Sequence, residues 1–330
     1  MGIREDELVR KIGAAMRQGS GVPAQVLLGI GDDAALFRPR PGYELILTCD
    51  WFLEGTHFLR DKHPPDSVGW KCLARAVSDI AAMGGIPRCF LLSLAVRSSD
   101  TGRWLDEFLT GLRRASRKFQ CVLAGGDTTR SNEILINVTV VGEVRRGRAI
   151  LRSGARAGDI VFVSGRLGEA ELGLQILKRN KRDANSKDSR LKKHLYPEPR
   201  IALGRWLAEK GLATSMMDVS DGLSTDLPRL CAASGVGARV NATKIPALLI
   251  PSHGGLRGTD PLQLALHGGD DYELIFTVRP NRMKSFPRSF GGVPLTPIGV
   301  ITSKRQMVLV NADGHERRLE SAGWDPFREP

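Results

Sequence analysis

The chain is short of cysteine, with five in 330 residues (Cys49, Cys72, Cys89, Cys121 and Cys231), widely scattered and without a CxxC pair. An odd, dispersed set excludes a disulfide framework and a zinc knuckle, and it suits a reducing compartment, so the cytoplasm is the expected location. Long apolar runs are also missing. No stretch approaches the roughly 18 residues that a membrane-spanning helix needs, so no membrane partner is expected. The N-terminal MGIREDELVRKIGAAMRQ is charged and lacks the apolar core of an export signal. Aromatic residues are few (11 Phe, 5 Trp and 3 Tyr) and are not interleaved with basic ones, so a stacking platform for single-stranded nucleic acid is lacking. There is no P-loop of the form GxxxxGK followed by Ser or Thr, and no repeat of solenoid length.

What remains is an ordinary globular composition, 42% hydrophobic and 25% charged, on a chain long enough for two domains. Lys and Arg total 48 against 36 Asp and Glu, and the formal charge of +12 favours an anionic partner: nucleic acid, a membrane surface or a phosphorylated metabolite. Leu8, Ile12 and Met16 recur at four-residue spacing and predict an amphipathic N-terminal helix. Apolar patterning then predicts strands at 25–28, 44–49, 88–96, 121–124 and 134–144, with helices near 66–83 and 101–118. Periodicity lapses around RRGRAILRSGARAGD, so a boundary is expected near 148, giving domains 1–148 and 149–330. The second half offers a strand in DIVFVSG, helices near 167–178, 199–210 and 222–234, and strands near 214–218, 236–240, 272–278 and 294–300. Both halves read as α/β or α+β. The basic run KRNKRDANSKDSRLKK, 178–193, reads as a solvated loop.

In so basic a chain the unexpected feature is the pairing of aspartates with glycines, in GIGDDAA, TCD, SDIAAMGG, AGGDTT, DVSDG and HGGDDYE. Each sits beside an apolar segment. Taken singly, each is ordinary turn or cap chemistry. Taken together, carboxylates side by side at the ends of buried segments repel and are costly to desolvate unless a cation neutralises them. An all-carboxylate set without His or Cys suits several hard cations, Mg²⁺ before Ca²⁺ or Zn²⁺, and Mg²⁺ usually arrives with substrate phosphates. The same cage argues against nucleic acid, since unmetallated aspartates repel a phosphate backbone. A dinucleotide fingerprint can be traced through GIGDDA with Asp50 beyond it, but LFRPRPGYE is too short and too proline-rich for the crossover helix that fold needs.

In order, GIGDDAALF, TCD with EGTHF, VGWKCLARAVSDIAAMGGIP, AGGDTTRS, LRSGARAGD, DVSDGLSTDL and HGGDDYELIFTV resemble the blocks of the thiamine-monophosphate kinase family, within the aminoimidazole-ribotide-synthetase-like superfamily. The resemblance runs from about residue 29 to 278, with the Trp324 region matching a C-terminal aromatic. It implies ATP-dependent phosphorylation of thiamine monophosphate to thiamine diphosphate by direct transfer, with several Mg²⁺ ions and no catalytic side chain beyond those that position metal and phosphates. Asp33, Thr48, Cys49, Asp50, Asp79, Asp127, Asp218 and Asp221 match metal positions, with Asp32 a neighbour. Cys49 stands where the family commonly has Thr, and Asp270 where it often has Glu. Gly126 and Asp127, in a GGD turn, Arg152 and Ser220 match nucleotide contacts; His57, Asp270 and Trp324 match substrate contacts. The implied fold is a two-domain one, with an N-terminal mixed sheet that pairs across a homodimer and a C-terminal α+β domain. The other functions weighed are another ATP-using enzyme of the superfamily and a non-catalytic, regulatory Mg-nucleotide-binding protein.

Overall fold

The computed structural model describes residues 4–17, 24–30, 34–179, 188–248 and 259–327. Asp32 and Asp33, and residues 180–187 of the basic run, lie outside them. The chain divides into two compact units. One comprises Met1–Ile80, Gly85–Gly147 and Leu177–Asp188; the other comprises Ala81–Gly84, Arg148–Ile176 and Ser189–Pro330.

The first unit opens with α1 (Glu5–Arg17), which buries Leu8, Ile12 and Met16 as their spacing predicts. Strands β1 (Val26–Leu28) and β2 (Leu36–Phe37) form a small antiparallel pair, and no helix separates β2 from the next strand, which removes the dinucleotide alternative. There follow β3 (Tyr43–Leu53), α2 (Pro65–Ala82), β4 (Ile86–Val96), α3 (Arg103–Phe119), β5 (Val122–Arg130) and β6 (Leu135–Arg145). The sheet runs β3-β6-β4-β5, antiparallel except for β4 and β5, which are parallel because α3 carries the chain back between them. Helices α2 and α3 cross with their backbones almost touching: a Cβ on Gly69 would lie 2.0 Å from the Phe108 carbonyl oxygen, and one on Gly111 1.7 Å from that of Asp66. Only glycine fits at either position.

Strand β3 lies at one edge of this sheet and alternates as a half-covered strand should. Ile46 and Phe52 are buried on one face, while on the other Leu45, Leu47 and Trp51 are 46, 68 and 56% exposed. The β1–β2 pair covers another part of that second face, packing Val26, Ala35 and Phe37 against Cys89, Val122 and Ala124. The expected GGD turn does not occur. Ala124–Asp127 run inside β5, where the register with β4 shifts between Phe90 and Leu91. Continuous pairing to β4 on both sides of the shift is what keeps the glycines extended.

The second unit contains β7 (Ile160–Ser164), α4 (Glu169–Arg179), α5 (Lys192–Leu195), α6 (Ile201–Lys210), β8 (Ala213–Val219), α7 (Leu223–Ser234), β9 (Gly237–Asn241), α8 (Pro261–His267), β10 (Glu273–Val278), β11 (Ser289–Phe290), β12 (Val293–Thr302), β13 (Met307–Val310) and β14 (Glu316–Arg318). Its sheet runs β14-β13-β9-β12-β7-β10-β8, with β11 paired to β12. Both faces are covered. Val161, Val163, Met217 and Val219 pack with Leu223, Leu227 and Leu230 of α7, whereas Phe162, Met216, Leu274 and Phe276 pack with Leu203 and Leu207 of α6. Strands buried on both faces read as unbroken apolar runs, which is why VFV and LIF lack alternation. The short α8, β13 and β14 carry too little periodicity to have been expected, and the last two intervene between the expected final strand and Trp324.

The basic run is not wholly a solvated loop. At its C-terminal end Leu191 is buried, and Lys193 lies 3.4 Å from the buried Glu273 carboxylate, which also accepts hydrogen bonds from Arg200 and Ser164. A buried carboxylate recruits cations from wherever the chain can supply them.

Candidate functional site

In the first unit, alternation along β3 turns Thr48 and Asp50 to the same face as Ile46 and Phe52, and Cys49 to the face of Leu47 and Trp51. The Thr48 hydroxyl donates to Asp79 Oδ2 at 2.5 Å. Asp79 stands in the last turn of α2, a turn without a basic side chain. The partial negative charge at that helix end adds to its own, so a cation is favoured there. The donors are the hard oxygens that suit Mg²⁺. The Cys49 thiol points away from them and exchanges hydrogen bonds with the Asn137 amide, at 3.3 Å to Oδ1 and 3.1 Å from Nδ2. Only the Cys49 backbone carbonyl could serve a metal on the Thr48 side.

Gly126 and Asp127 lie on β5, three strands across from β3. Asp127 pairs in register with Ser93, and Ser93 with Asn137, which places it on the Cys49 face, opposite to Asp50. A Cβ on Gly126 would meet the Leu92 carbonyl oxygen at 1.9 Å, so the approach of β5 to β4 already requires glycine here. Among the described residues no group of three or more His, Cys, Asp or Glu stands close enough together to hold a metal ion.

The turn after β3 carries His57. Its Nδ1 accepts the Leu53 N–H at 3.0 Å, which fixes Nε2 as the protonated ring nitrogen of the neutral side chain. Glu54 braces this turn, accepting from the Ile134 N–H and from Arg97, which also pairs with the buried Asp100. Partial burial works to raise the Glu54 carboxyl, but the Arg97 and Ile134 hydrogen bonds and the Arg97 and Arg60 charges hold it below the usual carboxylate range.

In the second unit, β8 delivers Asp218, Ser220 and Asp221 to the start of α7, and Asp218 is almost fully buried. Gly222 at φ 104° makes the bend into the helix. The neighbouring 268–272 loop docks on the same turn: the Asp270 N–H donates to the Ser220 carbonyl at 2.8 Å and the Tyr272 N–H to that of Val219 at 2.9 Å. Asp270 and Tyr272 both take left-handed backbone, at φ 66° and 50°. The Tyr272 hydroxyl donates to Asp270 Oδ1 at 2.6 Å, and the His194 ring lies 3.9 Å from Oδ2. Trp324 is 45% exposed, and its N–H donates to the Asp221 carbonyl at 2.9 Å. Arg152 is exposed, on a segment whose carbonyls are bonded by Ser234 and Met216.

Two residues that sequence reasoning did not single out hold these loops. Asp226, fully buried, accepts the N–H groups of Ser220 and Asp221 and pairs with Arg229, which also pairs with Asp221. Burial, with the Asp221 charge beside it, pushes the Asp226 carboxyl up to about 6. Asp271 accepts the N–H groups of Gly168 (2.6 Å) and Ala170 (3.1 Å) at the start of α4, and burial pushes it up to about 8. Asp226 stands inside DGLSTDL and Asp271 inside HGGDDYE, so the motifs contained them, but their roles depend on burial.

Residues 31–144 match the family described as AIR synthase related protein, N-terminal domain, and residues 156–311 its C-terminal domain. The chain is 35% identical to the thiamine-monophosphate kinase of Bacillus subtilis, over 92% of this chain and 95% of that one. A crystal structure of thiamine-monophosphate kinase from Stenotrophomonas maltophilia matches with a TM-score of 0.80 at 35% identity, covering 96% of this chain and 98% of that one. The structure of AaThiL complexed with AMPPCP and TMP matches at 0.75 and 32%, covering 98% and 97%. Among the described residues, no helix is long and apolar enough to cross a membrane. With both domain families matched and 35% identity over nine tenths of its length, the chain belongs to the thiamine-monophosphate kinase family, on the two-domain AIR synthase-related fold.

Proposed function

We propose that this chain transfers the γ-phosphoryl group of ATP onto the phosphate of thiamine monophosphate, giving thiamine diphosphate. The observation that carries the reading is 35% identity over 92% of the chain to a thiamine-monophosphate kinase, beside a fold match to AaThiL complexed with AMPPCP and TMP. Both reactants are polyanions, so the protein's task is positioning and charge neutralisation. Mg²⁺ bound to the carboxylates would supply the neutralising charge and the in-line alignment of the phosphates. In residues 1–148, Thr48, Asp50 and Asp79 would hold Mg²⁺ on one face of the sheet and Asp127 on the other; in residues 149–330, Asp218 and Asp221 would hold it. The Asp79 position supports this, because a carboxylate at a helix C-terminal end lowers the local potential further. Gly126, Arg152 and Ser220 contact the nucleotide. His57 offers a fixed Nε2–H to the substrate, Asp270 a carboxylate oriented by Tyr272, and Trp324 a half-exposed indole for a planar cationic ring.

The same reading includes a homodimer. Leu45, Leu47 and Trp51 form an exposed apolar row on an edge strand of eleven residues, a surface a monomer rarely leaves bare. A second copy of the sheet would cover it.

Purified protein incubated with ATP, Mg²⁺ and thiamine monophosphate should accumulate thiamine diphosphate. Chelation should stop turnover and added Mg²⁺ restore it. Undiminished turnover in excess EDTA would sink the metal assignment, and absence of thiamine diphosphate under all conditions would sink the reaction.

A further inference from the structure

We propose that Asp226 is a positioning residue that holds the Asp218–Gly222 loop and the Trp324 tail as one element. The inference rests on the reading above, in which Ser220 and Asp221 serve nucleotide and metal and Trp324 serves the substrate. Asp226 lies in the first turn of α7 and is fully buried. Its Oδ2 accepts both the Ser220 N–H (3.0 Å) and the Asp221 N–H (2.9 Å), while Oδ1 accepts Arg229 at 3.0 Å. These N–H groups belong to the loop before the helix, so the carboxylate is not capping α7, whose N-cap is Gly222. It sets the loop.

The loop then sets the tail. The Asp221 carbonyl accepts the Trp324 N–H, and a Cβ on Gly323 would stand 2.0 Å from that same oxygen, so the tail backbone lies directly on the turn. Thr225 adds a second strap, its hydroxyl accepting the Gly323 N–H at 3.1 Å and sharing a hydrogen bond with Ser321 at 3.0 Å. Trp324 and Arg229 line an open cavity of about 330 Å³ at this junction. One buried carboxylate thereby fixes the backbone of Asp221, and through its carbonyl fixes where the indole stands.

The test uses the full chain and reads Trp324 by the difference between each protein and the same protein carrying Trp324→Phe, which isolates one indole from the other four. Asp226→Ala should free the tail and raise acrylamide quenching of Trp324 about twofold, as the ring passes from 45% to full exposure. KM for thiamine monophosphate should rise about tenfold, the usual worth of one or two hydrogen bonds. The double variant Asp226→Ala/Trp324→Ala should be no worse than Trp324→Ala, because a freed indole has already left its place. Asp226→Asn guards against misfolding. Its single oxygen can still accept both N–H groups but its amide cannot pair with Arg229, so it should fold and show a smaller rise in quenching. Unchanged quenching in both variants, or strictly additive effects on KM, overturns the proposal. If Trp324→Ala leaves KM for thiamine monophosphate unchanged, the substrate role of Trp324 fails, and the quenching measurement still decides the role of Asp226.

Discussion

Asp79 brings together the forces that shape the first unit's site at the scale of one residue. Its carboxylate adds to the negative end of α2 and is restrained by the Thr48 hydroxyl, an arrangement that suits a bound cation. Asp79→Asn keeps the shape, since the amide oxygen can accept from Thr48, and removes the charge. Turnover should fall by about a hundredfold or more, as for other losses of transition-state charge stabilisation, with the melting temperature unchanged. Equal loss of activity and of thermal stability would mark the residue as part of the helix end only. Cys49 shows what residue identity alone leaves open. Its place among the metal positions was legible, but alternation along β3 sends its thiol to Asn137 and leaves only its backbone on the Thr48 side.

At the scale of elements, two joints carry most of the consequence. The crossing of α2 over α3 depends on Gly69 and Gly111, which let the backbones meet. Gly111→Ala forces the helices apart, and a destabilisation of about 1–3 kcal/mol is expected, the usual cost of overpacking, read as a lower urea midpoint. The second joint is Asp271 on the N-terminus of α4. Burial raises this carboxyl to about 8 from the 3.8 of an exposed aspartate. Between those values the folded chain holds a proton that the unfolded chain has released. Unfolding then releases a proton, so this group's contribution favours the folded state at low pH and is lost as pH rises from about 4 to 8, by at most about 1.4 kcal/mol per pH unit. Asp271→Asn should remove that slope, so the wild-type urea midpoint should fall relative to the variant's between pH 5 and 8. Parallel curves would show that Asp271 is ionised in the folded state. Neither joint was legible beforehand, because a glycine or an aspartate reveals its role only through the element packed upon it.

For the whole molecule the exposed row of β3 makes the sharpest demand. Leu47→Asp places a charge at the centre of that row without touching the buried face, and it should convert the expected dimer into a folded monomer by light scattering. A wild-type monomer would refute the dimer directly. The sequence by itself determined the longer helices and most strands, since periodicities of 3.6 and 2 are set by the chain's own geometry and need no partner to be visible. It also determined the family, because the aspartate and glycine blocks stand in fixed order along the chain. Tertiary structure decided the rest. Strand pairing, not strand identity, put Asp50 and Asp127 on opposite faces of one sheet and drew the GGD segment straight. Burial by distant segments made Asp226, Asp271 and Glu273 into the supports of three loops. Register and desolvation arise between residues dozens to more than a hundred positions apart, so no local pattern encodes them.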